Sequence, residues 1–211
     1  MTTEQDATER RRGARTRERA QQVALRLFTE QGYEATTLRQ IADELGINKA
    51  SLYYYFDGKE AIVQSLLDQR GDEVEELLAW VREQPATPAV IGEAVTRWVD
   101  SFTHEKLQGI RFLAANPLLL AGSTRSGAEP RVGTGLTALA DLLGERLPDQ
   151  APENAVLLRM ALLSINAAVQ AAAATSADDT AIMAAARRVA RLIIRELVPG
   201  AAAGSRPEGD R

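Results

Sequence analysis

The stretch from Thr37 to Glu60 constrains this chain most, because it specifies two short helices with almost nothing between them. Leu38, Ile41, Ala42 and Leu45 repeat at i, i+3, i+4 and i+7, which gives one apolar helical face. Thr37 precedes them with Gln40 three residues on, the spacing of a capping box. Gly46 follows, a residue able to take the left-handed conformation that ends a helix. Asn48 is a cap type for a second helix, in which Leu52 and Phe56 lie four apart on one face. Asp57 and Glu60 repeat the capping spacing and mark the expected start of a third.

The second of these helices has few apolar residues. Leu52 and Phe56 turn inward, while Lys49, Ser51, Tyr53, Tyr54 and Tyr55 are left over. Successive helical residues point about 100° apart, so three consecutive tyrosines cannot all face a core. An exposed tyrosine offers a phenol to a phosphate and a ring face to a thymine methyl. Two helices joined by a tight turn, the second presenting such side chains, is the arrangement that enters a DNA major groove.

On these residues the stretch resembles the DNA-binding domain of the tetracycline-repressor (TetR/AcrR) family of bacterial regulators. The resemblance rests on Ile41-Ala42 and Gly46-Ile47 around the turn, Ser51 to Phe56 in the second helix, and Lys59-Glu60 opening the next. It covers about residues 14 to 62. It implies an all-α fold of about nine helices: an N-terminal three-helix helix-turn-helix domain and a larger C-terminal helical domain for ligand binding and dimerisation. It also implies that Arg39 and Lys49 reach base edges, that Thr37, Ser51, Tyr54, Tyr55 and Lys59 hold phosphates, and that Tyr53 meets a thymine methyl or a phosphate. Arg39 has a second option in a salt bridge to Asp43, four residues on, and part of one tyrosine ring is expected in the core.

Composition narrows the alternatives. There is no cysteine, so no disulfide or thiolate metal site is available, and His104 as the single histidine argues against a His-based metal cluster or a Ser-His triad. No metal and no cofactor is expected. No apolar run has membrane-spanning length and no apolar signal region opens the chain, which makes a cytoplasmic protein the expectation. The net charge of −4 would argue against a nucleic-acid partner, but its distribution does not. Arg10 to Lys59 holds ten basic residues against six acidic ones, a local excess of +4 that leaves −8 for the remainder. A basic end on an acidic body suits a protein that meets DNA with one end only.

Along the chain, residues 1–13 read as a disordered arm, with Arg10, Arg11 and Arg12 either following a phosphate backbone or only solubilising. Ala14 to Gln31 reads as the first helix, stopped by Gly32. Residues 14–62 form the expected DNA-binding domain and 63–198 the second domain, with 199–211 a tail. The helix from Lys59 keeps apolar spacing for some 24 residues, with Gly71 as a bend. Residues 121–135 read as a loop. Glu153 to about Thr175 and Asp179 to about Val198 are two long, alanine-rich helices, apolar over a wide arc. In the family the last two helices pair with their copies, which implies a homodimer through them.

The resemblance further implies a small-molecule pocket. Trp80, Trp98, Phe102, His104, Phe112 and Asn116 supply aromatic and polar groups where it would lie, with Met160, Asn166 and Gln170 on the other wall. Each aromatic alone is more often core than ligand wall, and His104, near the end of the fifth helix, also reads as its cap. The function expected is a homodimeric repressor of a palindromic operator, released by a small molecule. An activator or a ligand-independent DNA-binding regulator fits the same residues. An enzyme or carrier fits less well, because obvious catalytic equipment is missing.

Overall fold

The computed structural model describes residues 3–117, 119 and 130–199. Ten helices and no strand occur among them: α1 (Thr3–Gln31), α2 (Leu38–Leu45), α3 (Lys49–Tyr55), α4 (Lys59–Glu83), α5 (Ala89–Asp100), α6 (His104–Ala115), α7 (Arg131–Gly144), α8 (Pro152–Leu162), α9 (Ser164–Ala172) and α10 (Asp179–Leu197). The chain is thus all-α, as its periodicity predicts.

Two apolar cores organise these helices. The first takes Ala20, Ala24, Leu27 and Phe28 from α1, Ile41 and Leu45 from α2, Leu52 and Phe56 around α3, and Ile62 and Val63 from α4. One further buried residue joins it from outside, Phe112 of α6, with the half-buried Leu113 beside it. The Phe112 ring stacks on Phe28 at 5.4 Å and tilts against Tyr33 at 6.0 Å. The second core gathers the inner faces of α4, α5, α7, α8, α9 and α10, from Val74 to Val198. Helix α4 runs through both. Where it passes α1, the Gln21 amide donates to the Ser65 hydroxyl at 2.8 Å, both buried, and that hydroxyl donates to the Ile62 carbonyl at 2.7 Å. The polar atoms at this crossing are therefore satisfied.

The structure corrects several expectations. Helix α1 begins at Thr3, across the stretch expected as a disordered arm. Glu, Gln, Arg and Ala dominate that stretch, and their helix propensity outweighs the single Gly13. Helix α4 is capped by the backbone of Gly58 with no side-chain cap bond, so Asp57 and Glu60 do not form the expected box. Gly71 serves close approach: a Cβ there would lie 2.8 Å from Cβ of Arg131, so α7 packs directly on the α4 backbone. Arg131 then pairs with Asp72 and Glu75 of α4. Residues Arg131–Gly135, expected in a loop, are the first turns of α7. The rest of that expected loop up to 129, and the tail from 200, lie outside the described residues.

The expected helix from Glu153 to Thr175 is two helices, α8 and α9, bent by 61° at Leu163. Trp98 explains how the bend is held. Its buried indole N–H donates to the Leu162 carbonyl at 3.0 Å, so a side chain satisfies the backbone at the break. Elsewhere among the described residues, no single helix is long and apolar enough to cross a membrane.

Because Phe112 of α6 completes the first core, truncating it opens a cavity there. Phe112→Ala should lower the unfolding free energy by about 3–5 kcal/mol, measured as a drop in the urea midpoint.

Candidate nucleic-acid interface

The turn between α2 and α3 is built as the sequence requires. The Thr37 hydroxyl accepts from the Gln40 amide N–H at 3.2 Å, and the Gln40 side-chain oxygen accepts from the Thr37 N–H at 2.8 Å. The Gln40 amide also reaches the Gln31 side chain at 3.2 Å, pinning the start of α2 to the end of α1. Gly46 takes φ 69°, ψ 30°, and its N–H and that of Ile47 close on the last carbonyls of α2. The Asn48 carboxamide oxygen accepts from the Ser51 N–H at 2.7 Å and opens α3. Arg26 of α1 braces the outer side, reaching Glu30 at 3.0 Å and Glu44 at 2.6 Å.

Helix α3 is anchored chiefly by two buried residues, with Tyr55 packed partly against the same core. Leu52 is fully buried, and Phe56 just past the last turn is nearly so, with the Arg17 guanidinium over its ring at 5.4 Å. The other faces are open. Tyr54 is 85% exposed and Tyr53 45% exposed, although both are large and apolar. Lys49 sits over the Tyr53 ring at 5.4 Å. Tyr55 is half-buried, edge-on to Tyr54 and against Gly13 of α1, so it is the tyrosine that lies partly inside. Arg39 is 81% exposed, and its distance of 3.9 Å to Asp43 leaves only a weak surface pair. Thr37, Arg39, Lys49, Ser51, Tyr53 and Tyr54 thus lie along the α2 start and the α3 helix, with Ser51 half-buried and Thr37 engaged in its cap.

Lys59, expected to hold a phosphate, also has partners within the chain. Its ammonium donates to the Tyr33 carbonyl at 2.6 Å and lies within 3.4 Å of the Glu34 carbonyl. It also covers the Tyr33 ring at 4.4 Å. Two of its three N–H directions therefore hold the loop after α1 onto the start of α4.

The residues expected around a ligand do not share one cavity. Trp80 is half-buried under the Arg97 guanidinium, 3.9 Å from its ring centroid. Trp98 is the core residue at the α8–α9 bend. Phe102 lies edge-on to Trp98 at 5.4 Å. His104 opens α6 instead of closing α5, stays exposed, and pairs with Asp179 at the start of α10. Phe112 belongs to the first core, and the Asn116 amide donates to the Phe112 carbonyl at 2.8 Å at the end of α6. Met160, Asn166 and Gln170 are exposed on the outside of α8 and α9. Two cations escaped the sequence reading. Arg70 and Lys106 share Glu73 between α4 and α6. The signal was present: Arg70 occupies the helical phase of Val63, Leu66 and Val74, where an apolar residue is expected.

A three-helix head with a capped glycine corner and an exposed second helix defines a helix-turn-helix protein of the DNA-binding type. Residues 22–66 match the sequence profile described as bacterial regulatory proteins, tetR family. The HTH-type transcriptional repressor KstR2 of Rhodococcus jostii (strain RHA1) is 51% identical over 45 residues, covering 21% of this chain and 22% of that protein. The chain therefore matches only about a fifth of that curated relative's length, all of it in the head. Solved structures extend the likeness to the fold. A TetR-family transcriptional regulator from Mesorhizobium loti MAFF303099 superposes with a TM-score of 0.60 at 20% identity, covering 89% of this chain and 97% of that one. The ketosteroid transcriptional regulator KstR2 of Mycobacterium tuberculosis gives 0.57 at 19% identity, covering 86% and 94%. The head of this chain is thus similar to the tetR family of bacterial regulatory proteins, and its overall fold is similar to that of solved regulators of this kind.

Two substitutions test how the head is held. Gly46→Ala forces a side chain into the left-handed region and should cost about 1–2 kcal/mol. Lys59→Met keeps the stem but removes the charged donor, and should cost about 1.5–3 kcal/mol. Both are read by thermal unfolding.

Proposed function

We propose that this chain is a DNA-binding transcriptional regulator, acting in the cytoplasm as a homodimeric repressor of a palindromic operator and released by a small molecule. The observation that carries the reading is the open face of α3. Exposed Tyr53 and Tyr54 with Lys49 project from a helix anchored chiefly by Leu52 and Phe56. Such a face gains nothing from folding and everything from a groove lined with phosphates and base edges. Arg39 at the start of α2 has an exposed guanidinium, held only by the weak pair to Asp43, that can turn to a bidentate contact with guanine. The family's members support regulation over catalysis, and the 51% identity in the head bears on the operator, not on the effector.

Dimerisation is supported by a second surface. Val156, Met160 and Leu163 at α8 and its end, with Val189 and Leu192 on α10, are each between 45% and 57% exposed. Exposed apolar side chains grouped on the terminal helices mark an interaction face. A two-fold dimer closed there would carry two heads to half-sites about 34–36 Å apart, or a multiple of that. A ligand that favours another spacing lowers operator affinity, and the operator lowers ligand affinity by the same factor.

Selection from random duplexes should yield an inverted repeat, and the operator affinity should fall steeply with salt as released counterions require. Arg39→Ala should cost about 1–3 kcal/mol of base discrimination, while Tyr54→Ala weakens selected and random duplexes together. A salt slope near zero would remove the reading. Leu192→Asp should convert the protein to monomers in sedimentation and abolish tight operator binding without unfolding the head.

A further inference from the structure

A cavity of about 260 Å³ lies where the head meets the body, and none of the residues proposed above for DNA or dimer contacts lines it. Its walls come from three helices: Gln22 and Leu25 of α1, Leu66 and Arg70 of α4, and Lys106 and Ile110 of α6, with Phe102 at its edge. It is slightly smaller than the usual range of about 300–1,000 Å³ for small-molecule sites. Its apolar part is Leu25, Leu66, Phe102 and Ile110. Its inner charged part is Arg70 and Lys106, with Glu18 and Glu105 also on its wall.

The charges in that part do not balance. The Arg70 side chain is only 15% exposed, sandwiched against Trp98 and Phe102 at 4.2 and 4.1 Å. It pairs with Glu73 through Nη1, and Lys106 pairs with the same carboxylate at 2.8 Å. One anion thus serves two cations. Lys106 also donates to the Ser101 carbonyl at 2.7 Å, whereas Nη2 of Arg70 is buried with no hydrogen-bond partner. A buried guanidinium N–H left unpaired is costly and calls for an acceptor. The two other carboxylates on the cavity wall stand at its mouth. Glu18 is exposed on α1, and Glu105 is exposed with its carboxylate accepting the Thr103 hydroxyl at 2.7 Å.

We propose that this cavity binds a small organic carboxylate, its anionic end on Arg70 and Lys106 and its apolar body against Leu25, Leu66 and Phe102. The carboxylate supplies the second anion and accepts from the orphaned Arg70 N–H in a charge-assisted bond. The apolar walls select an organic acid over an inorganic anion, which would leave them uncovered. Because one wall is α1 of the head and another is α6 of the body, occupancy sets how the head sits on the body. This consequence rests on the DNA-binding reading given above; the binding itself does not.

Charge on the lysine gives the site a pH signature. Burial chiefly, and then the neighbouring Arg70, lower Lys106 to about 8, and burial lowers Arg70 to about 10. Glu73, Glu105 and Glu18 are the acids facing them. A bound carboxylate favours protonated Lys106, so binding takes up a proton above about pH 8 and weakens as pH rises through that value.

The test is calorimetry on the full chain without DNA, using butyrate, hexanoate and octanoate, each beside its alcohol, with inorganic phosphate as competitor. The carboxylates should bind at least about tenfold more tightly than their alcohols, with affinity rising along the series, and phosphate should not displace them. Lys106→Gln should cut carboxylate affinity about tenfold, leave the alcohols unchanged, and flatten the fall in affinity between about pH 7 and about pH 9. Equal affinity for acid and alcohol, displacement by phosphate, or no carboxylate binding by the folded wild type would overturn the proposal. So would a Lys106→Gln protein that binds like wild type. Loss of operator binding alone would count against the regulator and leave this site untouched.

Discussion

The contact on which the rest depends is the stack of Phe112 on Phe28. One long helix, two short ones and the start of a fourth make a head whose core is small, and a small core cannot by itself bury enough apolar surface to offset chain entropy. The head completes its core with a ring borrowed from α6. That loan has a mechanical consequence. The direction in which α3 points is set by where α6 lies, because a close-packed aromatic cluster cannot slide without opening a void. Helix α6 is in turn tied to the start of α10, where Arg111 and His104 both engage Asp179. An unbroken series of packed elements therefore joins the terminal helices to the reading helix.

The cavity between α1, α4 and α6 sits on this series. At the α4–α6 junction the Arg70–Glu73–Lys106 group places two cations on one carboxylate and leaves a buried guanidinium nitrogen without a partner. Uncompensated charge in a low-dielectric setting makes a junction responsive, since any counter-charge that enters changes its energy by more than it would on the surface. The aromatic stack gives the head its stiffness and the unbalanced cations give it a place to be adjusted. The two lie on the same helix, with Lys106 near the start of α6 and Phe112 near its end.

The head was legible in the sequence because its determinants are local. A capping box needs only Thr37 and Gln40, a helix stop only Gly46, and a cap only Asn48; each formed as its spacing required. The bend at Leu163 was not legible, since neither proline nor glycine marks it. The bond that satisfies its backbone comes from the indole of Trp98, 64 residues away in the chain. The scatter of the expected ligand residues has the same origin: periodicity shows that Trp98 and Phe112 are buried but not in which core, and they fall in different ones. The structural contacts of Lys59 were not legible, because its partners, the Tyr33 and Glu34 carbonyls, are backbone groups that no side-chain pattern announces.

What remains is why α3 carries tyrosines where a folded helix would prefer either apolar or charged residues. Burying a large side chain gains about 1.5–3 kcal/mol, and Tyr53 and Tyr54 largely forgo it. Charged residues at the same positions would cost less in the free protein, but they would repel or attract without regard to base. A phenol ring can lie on a thymine methyl through its face and donate to a phosphate through its hydroxyl, with no counter-charge to desolvate. The net positive charge that draws the head towards DNA lies instead on α1 and around the turn, in Arg11, Arg12, Arg15, Arg19 and Arg39. Attraction and fit are thus carried by different residues, and only the second of these depends on the Gly46 corner holding α3 at its angle.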